Sequence, residues 1–158
     1  MIHFRSITED NFSAIINMKN PAAEGFVAPN SVSLAQAWLY RDDGDVFPFA
    51  IYADETLVGF MMLEEDLEEE KLWLWRIVIA PEHERKGYAT SAIEFLLRLA
   101  RESGKYKGLY LDCAPANAAA RRMYDRLGFI PTGEINHGDV EMCIVFDGEK
   151  EGERRDHR

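Results

Sequence analysis

Apolar and polar residues alternate with two different periods along the chain, and these periods predict strands and helices. Residues 2–7 alternate in the way that a strand does. Thr8 is positioned to cap a helix, and the apolar face of that helix would carry Phe12, Ile15 and Ile16. The pattern therefore predicts that the chain begins with a strand followed by a helix.

The next part of the chain predicts a loop, a second helix and a β-hairpin. Two prolines and a glycine interrupt residues 20–33, so we expect a loop there and a short helix at 34–40. Apolar runs at 47–53 and 57–63 flank a short polar turn, which is typical of a hairpin. The acidic segment 64–70 predicts an exposed turn after the hairpin.

A nearly continuous apolar run at 72–80 predicts a central strand that is covered on both faces. A helix should begin after Gly87 and end near Gly104, because small and aliphatic residues recur there at i, i+3, i+4 and i+7. These residues are Ala89, Ala92, Ile93, Leu96 and Ala100.

The last third predicts a strand at 109–114, a helix from Asn117 to Gly128, and two strands at 129–134 and 140–146. Hairpins and helical crossovers are both present, so the pattern favours an α/β fold with a mixed sheet.

The domain should cover residues 1–146, because 158 residues suit one core. The charged segment 147–158 has no apolar period, and we expect it to be a disordered tail.

Composition and charge exclude several classes of protein. The net charge of −10 argues against general nucleic-acid binding and favours neutral or cationic partners. No segment has the roughly 20 apolar residues of a membrane helix, and the first residues lack signal-peptide blocks. We therefore expect a cytoplasmic protein. Cys113 and Cys143 lie in apolar runs and predict packed thiols, with neither a disulfide framework nor a metal site.

Residues 84–90 join the central strand to the helix that follows, and they predict an anion site. The first amides of a helix have no intrahelical partner and carry partial positive charge. Arg85 and Lys86 add charge, and Gly87 lets a phosphate approach the backbone. Neither the Walker nor the GxGxxG spacing is present. A plain connection between strand and helix is the alternative.

Two segments resemble motifs of the GNAT superfamily of N-acetyltransferases. Residues 77–89 look like its motif A, and residues 117–129 look like its motif B, N-x-x-A-x-x-x-Y-x-x-x-G-F. The resemblance covers residues 1–146 and implies one GNAT domain with a mixed, mostly antiparallel sheet of six to seven strands and helices on both faces. It also implies acetyl transfer from acetyl-CoA to a primary amine. Glu84 replaces the Gln or Arg of the family, which we expect to weaken CoA binding.

The resemblance also implies roles in cofactor binding. Ile77, Val78 and Ile79 would pair with the pantetheine arm, with an oxyanion donor near Val78. Asn117 would contact the cofactor as well as cap its helix. The pyrophosphate would be held by Arg85, Lys86, Gly87, Tyr88, Ala89 and Thr90.

For catalysis, the resemblance implies that Tyr124 protonates the departing thiolate, and a packed core tyrosine is the alternative. Asp112 is our first choice for the base, and a structural carboxylate bonded to Arg76 or to a backbone amide is the alternative. Glu24, Glu64 and Glu141 are further candidates for the base.

A looser resemblance, to bacterial spermine/spermidine acetyltransferases, lies in residues 26–38, 52–63 and 72–89. It predicts a polyamine acceptor, as does the excess of 28 acidic over 18 basic residues. Glu24, Glu64 and Trp75 would bind that acceptor, although a tryptophan there also fits a core.

Other acceptors remain open: a protein N-terminus, an aminoglycoside or an amino acid. A non-catalytic acyl-CoA sensor is also open. Because relatives are often dimers, and some of them pair through their last strands, we expect a homodimer that uses residues 140–146.

Overall fold

The computed structural model describes residues 1–21 and 25–147, in which seven strands and four α-helices follow the predicted order. In chain order these elements are β1 (Ile2–Arg5), α1 (Glu9–Asn17), α2 (Asn30–Leu39), β2 (Val46–Ala53), β3 (Thr56–Asp66), β4 (Lys71–Ile79), α3 (Tyr88–Ser103), β5 (Gly108–Cys113), α4 (Ala118–Leu127), β6 (Ile130–Asn136) and β7 (Asp139–Val145). Glu24 and the predicted tail from residue 148 lie outside the described residues.

The strands form one sheet in the order β1-β2-β3-β4-β5-β7-β6. The pairs β1–β2, β2–β3, β5–β7 and β6–β7 are antiparallel, and β4 pairs with β5 in parallel. The prediction of a mixed, mostly antiparallel α/β sheet is therefore confirmed. The β4–β5 pairing runs from Lys71 opposite Gly108 to Trp73 opposite Tyr110, and it ends there.

The chain divides into two compact units. The first contains Met1–Glu64 and Leu74–Phe95, and the second contains Glu65–Trp73 and the described residues from Leu96 onward. The first unit has a core of Ile15, Ala50, Tyr52, Phe60 and Met62. The second buries Leu109, Leu111, Phe129 and Met142. Both cysteines are free and buried, as predicted.

The apolar face of α1 differs from the predicted one because a polar residue takes an inward position. Asn11 is buried, and its Oδ1 accepts a hydrogen bond from the Thr8 amide at 2.8 Å. The side-chain amide of Asn11 also donates to the carbonyl oxygen of Ser6 at 3.0 Å. This capping interaction turns Asn11 inward, and Phe12 is 51% exposed instead.

Helix α2 begins at Asn30, four residues before the predicted start at 34. The Asn30 side-chain amide donates a hydrogen bond to the carbonyl oxygen of Ile15 at 3.0 Å, which anchors the start of α2 to α1. Pro29 stands directly before the helix, where its missing N–H costs nothing. A long-range bond therefore sets this boundary.

Two strand predictions were wrong in part. Strand β3 continues to Asp66, so the exposed turn is confined to residues 67–70. Strand β4 is not fully covered on either face, because Trp73, Trp75 and Ile77 are half-buried on one face and Arg76 is half-buried on the other. Strand β7 is paired along both edges, with β5 and with β6, so the edge strand of this hairpin is β6.

None of the helices in the described ranges is both long and apolar enough to cross a bilayer.

Candidate active site

The segment that opens α3 has the backbone geometry of an anion site. Arg85 and Gly87 both adopt left-handed conformations, with φ of +61° and +77°. A Cβ atom added at Gly87 would meet no atom within 4 Å, so the space beside this backbone is open. The amide of Ser91 donates to the carbonyl oxygen of Gly87 at 3.0 Å. The amides of residues 88–90 precede this first helical bond and are available to a ligand.

The side chains beside this segment separate into two groups. Arg85 and Lys86 are exposed, and they can bring positive charge to an anion there. Glu84 is half-buried and turned toward the end of β4, where its Oε1 accepts a hydrogen bond from the Asn20 amide at 2.5 Å. The same amide donates to the carbonyl oxygen of Ile79 at 2.7 Å. Asn20 was missed by sequence reasoning, because it lies 64 residues from Glu84 and no local pattern marks it.

The backbone of β4 presents alternate residues to its two edges. The amide of Ala80 donates to the carbonyl oxygen of Val58 at 2.9 Å, and the carbonyl oxygen of Val78 lies against Gly59. Residues 78 and 80 therefore direct their backbone groups toward β3. The groups of Ile77 and Ile79 point to the opposite edge. An oxyanion donor near Val78 thus has to be the amide of Ile77 or Ile79, because the Val78 amide faces β3.

Gly59 permits this close approach of β3 and β4. A Cβ atom at residue 59 would lie 2.5 Å from the Val78 carbonyl oxygen and 2.8 Å from Cδ1 of Ile79. We expect Gly59→Ala to lower the free energy of unfolding by about 1–3 kcal/mol through overpacking. The melting temperature should fall by about 2–4 °C for each kcal/mol in a domain of this size, which thermal circular dichroism would measure.

Gly44→Ala is the control for Gly59→Ala, since a Cβ atom there meets nothing within 4 Å while φ is +70°. It isolates the cost of a strained backbone from the cost of a steric clash. If Gly59→Ala proved as stable as the unaltered protein, β3 and β4 would have to lie farther apart than described.

Trp75 and Glu64 occupy different surroundings in the first unit. Trp75 packs against the core of that unit, and the Arg76 guanidinium lies 4.7 Å from its ring centroid. Arg76 donates to Ser33 Oγ at 2.9 Å and to Gln36, and desolvation lowers its pKa. One ring face of Trp75 therefore already carries a cation. Glu64 is half-buried on β3, opposite Val46.

In the second unit, Tyr124 lies on α4 as a buried side chain that is 8% exposed. Its ring packs edge-on against Phe129, with 5.7 Å between the centroids. Burial raises the pKa of Tyr124 to about 12, with a smaller contribution from Cys113. The phenol is therefore protonated at neutral pH. Asn117 caps the same helix by accepting a hydrogen bond from the Ala120 amide at 3.3 Å, as predicted.

Asp112 belongs to a hydrogen-bonded network at the β5–β7–β6 side of the sheet. It lies opposite Glu141, and the Asn136 amide donates to Asp112 Oδ1 at 2.9 Å and to Glu141 Oε1 at 3.1 Å. Thr132 Oγ1 donates to Glu141 Oε2 at 2.6 Å. Glu141 is 6% exposed, whereas Asp112 is exposed. Asn136 and Thr132 were missed because their partners come from neighbouring strands.

The pKa of Asp112 is raised from its ordinary value because its carboxylate is partly desolvated. The hydrogen bond from Asn136 opposes this shift, and the negative charges of Glu141 and Asp139 add to it. Partial desolvation of this kind moves a carboxylate toward the range in which it can act as a base near neutral pH. Asp112 bonds to Asn136, so the predicted alternative of an Arg76 partner is not what the structure shows.

The structure does not place Asp112 beside Tyr124. Successive strand residues point to opposite faces, so Asp112 and Cys113 lie on different sides of β5. Tyr124 is close enough to Cys113 for a thiolate charge there to raise its pKa. An acid at Tyr124 and a base at Asp112 would therefore approach a reactant from different sides.

Comparison with known proteins identifies relatives of this chain. The chain is 28% identical over 150 residues to the spermine/spermidine N(1)-acetyltransferase of Bacillus subtilis (strain 168), covering 90% of this chain and 97% of that protein.

Two solved structures share the fold. One is spermidine N-acetyltransferase from Vibrio cholerae in complex with CoA and spermine, with a TM-score of 0.72 and 22% identity over 91% of this chain and 95% of that chain. The other is the PaiA N-acetyltransferase of Thermoplasma acidophilum in complex with coenzyme A, with a TM-score of 0.69 and 16% identity over 92% of this chain and 99% of that chain.

The family match spans residues 12–129, which include both sequence motifs, the segment that opens α3 and Tyr124. Because this match covers well over half of the sequence, it establishes the family directly. The chain belongs to the acetyltransferase (GNAT) family.

Proposed function

We propose that the protein transfers the acetyl group of acetyl-CoA to a primary amine of a polyamine such as spermidine or spermine. The observation that carries the proposal is the left-handed backbone of Arg85 and Gly87, with open space beside Gly87, which leads into the first amides of α3. A diphosphate fits such a site because backbone amides and the helix dipole both favour an anion. The Bacillus relative, which matches along nearly the whole chain, supports the acceptor.

In this proposal the cofactor lies along the first unit from β4 to α3. The amides of Tyr88, Ala89 and Thr90 hold the pyrophosphate, with Arg85 and Lys86 nearby. The backbone groups of Ile77 and Ile79 pair with the amides of the pantetheine arm, in the manner of an added strand. Asn117, whose side chain caps the start of α4, is a further proposed contact of the cofactor.

The reaction needs a neutral amine, since an ammonium group has no lone pair. Asp112 takes the proton from the ammonium group, directly or through water. The amine nitrogen then attacks the thioester carbon, and an amide of Ile77 or Ile79 donates a hydrogen bond to the developing oxyanion. As the carbon–sulfur bond breaks, Tyr124 donates a proton or a hydrogen bond to the thiolate. The second proton of the attacking nitrogen passes through water to the tyrosinate or to the sulfur, so the products are the N-acetyl amine and CoA as its thiol.

The pKa of Tyr124 fits the role of a donor that keeps its proton until it is needed. At about 12 it lies above the value of an ordinary thiol, about 8.5. The phenol is therefore fully protonated when the thioester is intact. A hydrogen bond to the developing thiolate is stabilising at this point, because the charge forms in a buried site.

The overall negative charge of the chain would attract the polyamine. The chain carries a net charge of −10, and a flexible polycation is drawn to such a surface. We propose Glu64 and Glu24 as contacts for its ammonium groups, although Glu24 lies outside the described residues. Trp75 is a weaker candidate, because the Arg76 guanidinium already lies over its ring.

A panel of amines tests the acceptor. With acetyl-CoA held constant, we expect kcat/KM for spermidine and spermine to exceed that of a peptide amine, an aminoglycoside or an amino acid by about tenfold or more. Release of the CoA thiol is the measurement. Equal values across the panel would contradict the polyamine assignment. CoA binding without turnover of any amine would favour an acyl-CoA sensor.

We further propose a cytoplasmic homodimer, in which the edge strand β6 contributes in place of the expected 140–146 segment. Strand β7 has both edges paired, whereas β6 ends the sheet. Ile130 and Ile135 on β6 are 60% and 62% exposed, which leaves apolar surface for a second copy. Light scattering coupled to size exclusion would give the mass, and Ile135→Lys should shift it toward the monomer.

A further inference from the structure

Asn20 joins the end of β4 to the start of the segment that opens α3. Its side-chain nitrogen carries two hydrogens, and both are donated, to the Ile79 carbonyl oxygen at 2.7 Å and to Glu84 Oε1 at 2.5 Å. Between these two acceptors the chain makes the 3-10 turn Pro81–His83, whose own backbone bonds are local. The side-chain amide of Asn20 therefore bridges the residues that flank this turn.

The two acceptors of Asn20 belong to different parts of the proposed cofactor site. Ile79 ends the strand edge that is assigned to pantetheine. Glu84 directly precedes Arg85, whose φ is +61°. A residue other than glycine keeps this conformation only when the surrounding contacts hold it. The bond to Glu84 supplies such a contact at the residue where the segment begins.

We propose that Asn20 is a positioning residue for acetyl-CoA, which holds the end of β4 and the anion-binding segment in register through Ile79 and Glu84. This inference rests on the proposed function. It also gives a reason for a glutamate in place of the usual Gln or Arg, because a carboxylate accepts a strong, charge-assisted hydrogen bond. Its negative charge is directed at the Asn20 amide and is thereby turned from the pyrophosphate.

Asn20→Ala is the first test. We expect the KM for acetyl-CoA to rise about tenfold, as the loss of hydrogen bonds to a charged and a neutral acceptor would give. The kcat and the KM for the amine should change by less than about twofold, because Asn20 acts on cofactor binding and not on the chemical step. If Asn20 had a purely structural role, the variant would have a lower melting temperature, and the KM for acetyl-CoA would not rise apart from the other two constants.

Variants of Glu84 test the partner. Glu84→Gln keeps an Oε1 acceptor for Asn20 but loses the charge assistance, so the KM for acetyl-CoA should rise less than in Asn20→Ala. Glu84→Ala removes one of the two acceptors of Asn20 and should give a large part of the rise in KM that Asn20→Ala gives. Both changes remove the same hydrogen bond between Asn20 and Glu84. The double variant Asn20→Ala/Glu84→Ala should therefore raise the KM for acetyl-CoA by less than the combined effects of the two single variants.

Glu82→Ala is the matched control, because Glu82 is an exposed carboxylate on the same turn. It should leave both KM values unchanged. Additive effects in the double variant, or an equal effect of Glu82→Ala, would overturn the inference by reducing it to surface charge.

Calorimetry with coenzyme A separates this inference from the proposed function. If the unaltered protein binds no coenzyme A, the proposed function fails and this inference fails with it. If the unaltered protein binds and Asn20→Ala binds equally well, only this inference fails. Tighter binding by Asn20→Ala would also overturn it, because Asn20 would then compete with the cofactor for the Ile79 carbonyl oxygen.

Discussion

Tyr124→Phe should lower kcat by about 100-fold or more while acetyl-CoA still binds, because the change removes a single hydroxyl that acts as the departing thiolate forms. The ring of Phe keeps the edge-on contact with Phe129, whose centroid lies 5.7 Å away. Stability should therefore change little. Steady-state kinetics and calorimetry with coenzyme A would measure the two effects separately.

Phe129→Leu is the matched control for Tyr124→Phe, because Phe129 is buried against the same ring. It disturbs the packing of Tyr124 and leaves the hydroxyl in place. We expect a clear fall in the melting temperature and only a small fall in kcat. An unchanged kcat in Tyr124→Phe would show that the tyrosine is a packed core residue, which is the alternative that its helical spacing allows.

The pH dependence follows from the raised pKa of Tyr124. The protonated form is the active one, and it persists as the pH rises to about 12. A basic limb of the rate profile below that pH therefore belongs to another group. If Tyr124→Phe abolished a basic limb near pH 9 or 10, the phenol would have an ordinary pKa of about 10, which contradicts a buried side chain.

Features that depend on neighbouring residues in the sequence were predictable. Asn117 caps α4, and Gly128 ends it with φ of +100°, as the local signals of the sequence indicated. The apolar stripe of α3 buries Ala92, Ile93 and Leu96. The helical period and the caps act within one or two turns of the chain, so the sequence alone was sufficient to find these elements.

Features that depend on strand pairing or on distant partners were not predictable. The sequence could not show that Val78 directs its backbone toward β3, because this depends on how β4 lies against Val58 and Gly59. Asn20 and Glu84 are separated by 64 residues, and nothing near either residue indicates the other. Candidate residues were therefore easier to name than their orientations, which are decided by tertiary contacts.

Asp112→Asn should lower kcat by about 100-fold, because an amide cannot accept the proton of the substrate ammonium. The replacement keeps an Oδ1 acceptor for Asn136, whose amide now donates to Asp112 at 2.9 Å. The network with Glu141 should therefore persist, and the melting temperature should change little. Kinetics with spermidine across a range of pH would measure the effect.

The acidic limb of the pH profile gives the sharper test of Asp112. A base works when deprotonated, so activity should fall as the pH drops through the pKa of Asp112, which is raised above the ordinary 3.8. Asp112→Asn should remove this limb, whereas Asp139→Asn should move it to lower pH, because Asp139 contributes to the raised pKa. These two results together would assign the limb to Asp112. A limb unaffected by Asp139→Asn, with activity retained in Asp112→Asn, would make Asp112 a structural carboxylate and transfer the role of base to another residue.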